Sequence, residues 1–171
     1  WRDVKTFGHY AYVTTEAYNG LLIIDLSNLP DSTNTNTYIY SGPSSNPWLR
    51  AHNLFIDDRG YAYIFGANRG VGGAIILDLN QDPTQPVEVA DINNWEVHDG
   101  MVKGDTLFLA HAGNSIFSIW DVSNPANPLL LGQNQTVGYY SHNIWASDDG
   151  EYIYTTEEDN GGYLSEFKIT D

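Results

Sequence analysis

Cysteine is absent from the 171 residues, which excludes disulfides and thiol chemistry. For an exported protein that absence fits a bacterial source better than an animal secretory pathway. Basic residues are scarce: seven Lys and Arg stand against 22 Asp and Glu, a formal net charge of −15. Such a surface repels phosphate backbones and anionic membrane surfaces, so nucleic acid is excluded as an expected partner. No apolar run approaches the roughly 20 residues of a membrane span, so no membrane insertion is expected. There is no signal peptide and no initiator Met. The abrupt start at Trp1 reads as a processed protein or a piece of a longer one.

Catalytic signatures are missing too. The sequence contains no Gly-x-Ser-x-Gly elbow, no helix-opening phosphate loop and no His-Glu-x-x-His. The Gly-rich stretch Gly70-Val71-Gly72-Gly73 joins strands. Sustained helical periodicity is also lacking, which leaves short runs rich in β-branched and aromatic residues.

What is present is a repeat. Ala51-His52-Asn53-Leu54, Val97-His98-Asp99-Gly100 and Ser141-His142-Asn143-Ile144 share one opening, with histidines 46 and 44 residues apart. Trp1-Arg2-Asp3-Val4 fits the same slot, with Arg2 in place of His. Each opening is followed by an aromatic-aliphatic run such as Ala62-Tyr63-Ile64 or Leu107-Phe108-Leu109. After a loop comes a second run carrying an Asp: Asp25, Asp78 or Asp121. The fourth copy has Lys168 at that point. A proline turn follows in three copies, as at Pro30, Pro83 and Pro125, and then another short apolar run such as Leu129-Leu130-Leu131.

Three or four strands in about 45 residues is the period of a β-propeller blade, and one blade must stack on others to bury its faces. The fold class expected is therefore all-β, about four antiparallel blades in one propeller domain. The repeats are placed at about 1–50, 51–96, 97–140 and 141–171. The fourth copy stops after its third strand. An open arc follows, or part of a ring completed by further blades or chains.

These residues resemble the LVIVD repeat, most clearly from Tyr10 to Pro30, Tyr61 to Pro86 and Asp105 to Pro128. That repeat occurs in bacterial surface propellers, including the choice-of-anchor B proteins. The resemblance implies a propeller that is secreted or at the cell surface. It carries no catalytic motif to transfer.

In a blade the first strand lines the axis, so the loops before it and between strands two and three share one face, here called the top. His52, His98 and His142, with Asp99, are candidate metal ligands, because symmetry gathers them at the axis. The bland alternative is a structural histidine bonded to neighbouring backbone. Glu16, Glu157 and Glu158 on top loops offer oxygen ligands, so calcium and zinc are the ions considered. Trp48, Trp95, Tyr139 and Tyr140 precede the histidines. They form a stacking collar if exposed and wedges between blades if buried. His111 lies on the third top loop and joins the ligand-binding candidates. Asp25, Asp78 and Asp121 are expected to point into the blade interface, bonded to amides of the next turn.

The function expected is a non-catalytic extracellular module binding protein or carbohydrate through its top face. A metal-dependent hydrolase at the axial histidines and a purely structural repeat are the alternatives.

Overall fold

The computed structural model describes residues 2–169. Trp1 of the first opening lies outside them. Fifteen strands form four antiparallel sheets, each a sequential meander. The first sheet is β1 (Val4–Phe7), β2 (Tyr10–Val13), β3 (Leu21–Asp25) and β4 (Thr37–Tyr40). The second is β5 (Asn53–Ile56), β6 (Tyr61–Phe65), β7 (Ala74–Asp78) and β8 (Val87–Ile92). The third is β9 (Asp99–Lys103), β10 (Thr106–His111), β11 (Ile116–Asp121) and β12 (Leu129–Gln135). The fourth has three strands, β13 (Ser141–Ala146), β14 (Tyr152–Glu157) and β15 (Leu164–Lys168). Among the described residues the one helical turn is the 3-10 turn Ala112–Asn114.

The sheets stack as blades. β1 lies against β5, β5 against β9 and β9 against β13, so the first strand of every blade meets its counterpart in the next. Both faces of the inner blades are apolar, and the strand period of two sends alternate side chains to opposite neighbours. In the second blade Ala62, Ile64, Ile75 and Leu77 pack against Tyr12, Leu21 and Ile23 of the first. Tyr63, Phe65, Ala74 and Ile76, one residue out of phase, pack against Leu107, Leu109 and Trp120 of the third. Phe108, Ala110 and Phe117 turn the other way, onto Ile144, Ala146 and Ile153 of the fourth. Each fully buried Leu, Ile or Phe contributes about 1.5–3 kcal/mol by leaving water, so these three seams hold the arc together.

Backbone bonds repeat with the blades. The amides of Leu26, Leu79, Val122 and Ile169 donate to the carbonyls of His9, Gly60, Asp105 and Glu151, the same closure in all four. Register places Asp25 opposite Tyr10, Asp78 opposite Tyr61 and Asp121 opposite Thr106, with Lys168 opposite Tyr152 in the same slot. The three aspartates accept from the amides of Ser27, Asn80 and Ser123, as the sequence led one to expect. They are partly exposed at strand ends, however, and do not enter the blade interface. These turn bonds hold the Asp25 and Asp121 carboxyls below the usual range.

Asp57-Asp58-Arg59-Gly60 has the composition of an ordinary turn. Gly60 does adopt φ +82°, which suits glycine. Asp57 is buried, however, and it accepts from the Arg59 and Tyr61 amides, the Arg59 guanidinium and the Tyr63 hydroxyl. Arg59 also reaches Asp105 and the Val122 carbonyl, so one side chain ties the bottom of the second blade to the third. Removing it strands a buried carboxylate. Arg59→Ala is expected to cost about 3 kcal/mol in urea unfolding. Asp58→Ala, at an exposed neighbour, is expected to cost less than about 0.5 kcal/mol.

Candidate functional site

The top face carries a cavity of about 930 Å³ lined by the blade openings and the second-to-third-strand loops. Its floor follows from the first-strand geometry. His52 immediately precedes β5, His98 precedes β9 and His142 is the second residue of β13. Packing of successive first strands therefore brings the three rings into one row. Ring centroids are 4.1 Å apart for His52 and His98 and 4.5 Å apart for His98 and His142. Arg2, at the equivalent point of the first blade, also lines the cavity.

The row is not a symmetric triad. Glu16, from the β2–β3 loop, takes the His52 Nδ1 at 2.7 Å, and this bond is the main influence holding the Glu16 carboxyl below its ordinary range. His98 Nδ1 lies 2.9 Å from the His142 carbonyl oxygen. A carbonyl only accepts, so His98 carries its proton on Nδ1 and leaves Nε2 as the lone-pair nitrogen. Burial lowers the His98 pKa, helped by the neighbouring histidines, and keeps the ring neutral. His142 Nε2 stands 3.8 Å from Glu158 Oε2. His98, His142 and Glu158 each offer a ligand atom, all within 4.8 Å of one another. Among the described residues this is the group that suits a metal ion.

Of the metal candidates read from sequence, the structure brings His98 and His142 into this group and leaves His52 and Asp99 outside it. His52 is turned to Glu16 and stands outside the group. Asp99 accepts from the Gly100 amide and the Asn143 side chain, and its burial raises its pKa. Glu158, expected only as a loop ligand, takes their place because its loop returns beside His142.

The four aromatic candidates divide between the two readings. Trp48 is fully buried between the first two blades, with Tyr40 edge-on at 6.3 Å. Trp95 is half-buried against His111, with centroids 5.3 Å apart. Tyr139 is 89% exposed and does not line the cavity. Tyr140 alone of the four lines it, edge-on to His98. Glu157 accepts from the Tyr140 amide and pins that segment, rather than facing a ligand.

His111 is buried and leaves the ligand-binding set. Its Nδ1 donates to the Glu96 carbonyl at 2.8 Å, its Nε2 accepts from the Ser118 hydroxyl at 2.7 Å, and Ser118 Oγ accepts the Trp120 indole N–H. Burial lowers its pKa to about 4.

Sequence reasoning missed several lining residues. Arg50, Asn68 and Glu96 face the cavity, and Asn68 Oδ1 accepts both the Leu49 and Arg50 amides, fixing the second opening from its own blade's loop. The signal was available: each of seven cations in so acidic a chain is a rare placement.

Two segments, residues 2–36 and 96–136, match the LVIVD repeat, and the fold is β-propeller-like. No curated protein matches it. Among solved structures it is similar to a putative 6-phosphogluconolactonase from Bacteroides fragilis, at 15% identity and TM-score 0.65, covering 98% of this chain and 54% of that one. A protein from Lactobacillus plantarum gives 15% identity and TM-score 0.65, covering 98% and 55%. Hydrazine synthase from Kuenenia stuttgartiensis gives 11% and 0.64, covering 94% and 43%. The chain spans about half the length of these structures, and at such identities the likeness shows the fold alone.

The neutral His111 makes stability pH-dependent. The unfolded ring titrates near 6.5 and the folded one near 4, so between those values the unfolded chain binds the extra proton. Stability present at pH 7 falls as pH drops through that window, by about 3 kcal/mol for the full difference. His111→Gln is expected to show a smaller fall in Tm between pH 7 and 4.5 than the parent. An equal fall would assign the loss to other groups.

Proposed function

We propose that this chain is a non-catalytic binding module, exported to the cell exterior or surface, and that its ligand sits in the top-face cavity. The observation that carries the reading is the composition of that cavity. Arg2 and Arg50 stand with Glu16, Glu96 and Glu158 around the histidine row, so cations and carboxylates face one space. Opposed charges at the mouth of a cleft recognise a ligand bearing both signs and set its orientation. Sugar recognition relies on broad aromatic platforms, and three of the four candidate platforms lie elsewhere. A protein segment with an acidic and a basic side chain is therefore the better fit. Export rests on the resemblance to bacterial surface propellers, and the net charge of −15 is consistent with it.

The metal-dependent hydrolase reading keeps one observation in its favour, the grouping of His98, His142 and Glu158.

Panning a displayed library of random dodecapeptides tests the proposal. Enrichment of peptides carrying both charges, lost in Arg50→Glu and retained in Asp58→Ala on the opposite face, is the expected result. Binding confined to a glycan array, or peptide binding indifferent to Arg50→Glu, would overturn it.

A further inference from the structure

We infer that His98, His142 and Glu158 form a binding site for a divalent first-row transition ion, zinc being the representative, that bridges the third and fourth blades. Two imidazoles and one carboxylate are a donor set suited to such ions, with the remaining position open to the cavity. The site does not rest on the peptide-binding reading.

Three features of the structure build it. The first is spacing. Around a tetrahedral ion with bonds of about 2.0–2.1 Å, ligand atoms lie about 3.3 Å apart. The His142–Glu158 separation is 3.8 Å, and the whole group lies within 4.8 Å. Glu158 is exposed and His142 is partly so, which leaves both free to close the remaining gap by side-chain rotation.

The second feature is the orientation of His98. Metal-bound histidines donate their other ring N–H to a carbonyl or carboxylate, which sets the tautomer and aims the ligand nitrogen. His98 already makes that bond, and its acceptor is the backbone of His142, the second ligand. One hydrogen bond thus positions two ligands on adjacent blades.

The third is the anchoring of Glu158. Its amide donates to the Tyr140 carbonyl at 3.3 Å, while the Tyr140 amide donates to the Glu157 carboxylate at 2.8 Å. This reciprocal pair clips the loop bearing Glu158 to the segment that leads into His142. The backbone carrying the ligands is therefore held in place, and only their side-chain ends need adjust.

The histidine row supplies an internal control. His52 stacks on His98 as closely as His142 does, yet its Nδ1 is engaged by Glu16. A weak, unspecific affinity of clustered imidazoles for metal would use His52 as readily as His142.

Isothermal titration of the whole chain with zinc chloride, paired with the visible spectrum of cobalt(II), tests the site. One ion per chain is expected, with cobalt bands of low-coordinate intensity. His142→Ala and Glu158→Gln are each expected to weaken zinc by about tenfold or more, since even outer partners of bound metals act on that scale. His52→Ala is expected to leave affinity within about threefold. Glu158→Gln preserves shape at an exposed position, so its effect is separable from misfolding, and the metal-free Tm of each variant verifies this. Absence of saturable binding, or a loss in His52→Ala equal to that in His142→Ala, would overturn the assignment. Peptide binding by the chelator-treated protein reads the ligand proposal separately.

Discussion

The structure depends on packing between blades. The second sheet has no hydrophilic face to give to water: Tyr63 and Ile64 are adjacent in one strand, both fully buried, and point to different neighbours. A period-two chain with apolar residues in both phases must be covered on both sides. The seams between blades are thus the core itself, divided into three clusters. Where backbones approach closely the sequence supplies glycine. At Gly73 an added Cβ would sit 1.9 Å from the Ile92 carbonyl oxygen, so no other residue fits without moving the outer strand.

Polar structure is subordinate to those seams and concentrates at the strand ends. At the bottom, Asp25, Asp78 and Asp121 organise the turns, and Asp57 with Arg59 links two blades. At the outer part of the second blade Arg69, almost wholly buried, is paired with Glu88 and Asp91. A chain this acidic spends two of its seven cations on such internal pairs. Arg2 and Arg50 line the cavity together with Arg69 and face the carboxylates of Glu16, Glu96 and Glu158.

The same first-strand stacking that buries the core also produces the histidine row. Residues immediately above the stacked strands are forced to within about one ring width of each other. Each ring then finds its own solution. His52 is bonded by a carboxylate, His98 by a backbone carbonyl, and His142 faces Glu158. Identical positions in a repeat thus acquire different chemistry, because their neighbours on the top loops differ in sequence.

Much of this was legible in the chain alone. Strand runs, turn residues and a spacing of 46 and 44 residues between histidines follow from local pattern, and local pattern suffices for a blade. The bonding of the recurring aspartates was legible too, since their partners lie two residues away. Burial and partnership across blades were decided only by the tertiary structure. Trp48 and Tyr140 both stand a few residues before or at a blade opening, yet one is sealed in a seam and the other lines the cavity. His111 looked like a loop residue and became the centre of a buried polar chain, because Ser118 and the Glu96 carbonyl reach it from separate segments. Asp99, bonded to the Gly100 amide and the Asn143 side chain, and Glu158, standing beside His142, were decided in the same way. Repeat sequence determines where each residue sits within its blade, but what it touches is set by the loop of the next blade, which the repeat does not encode.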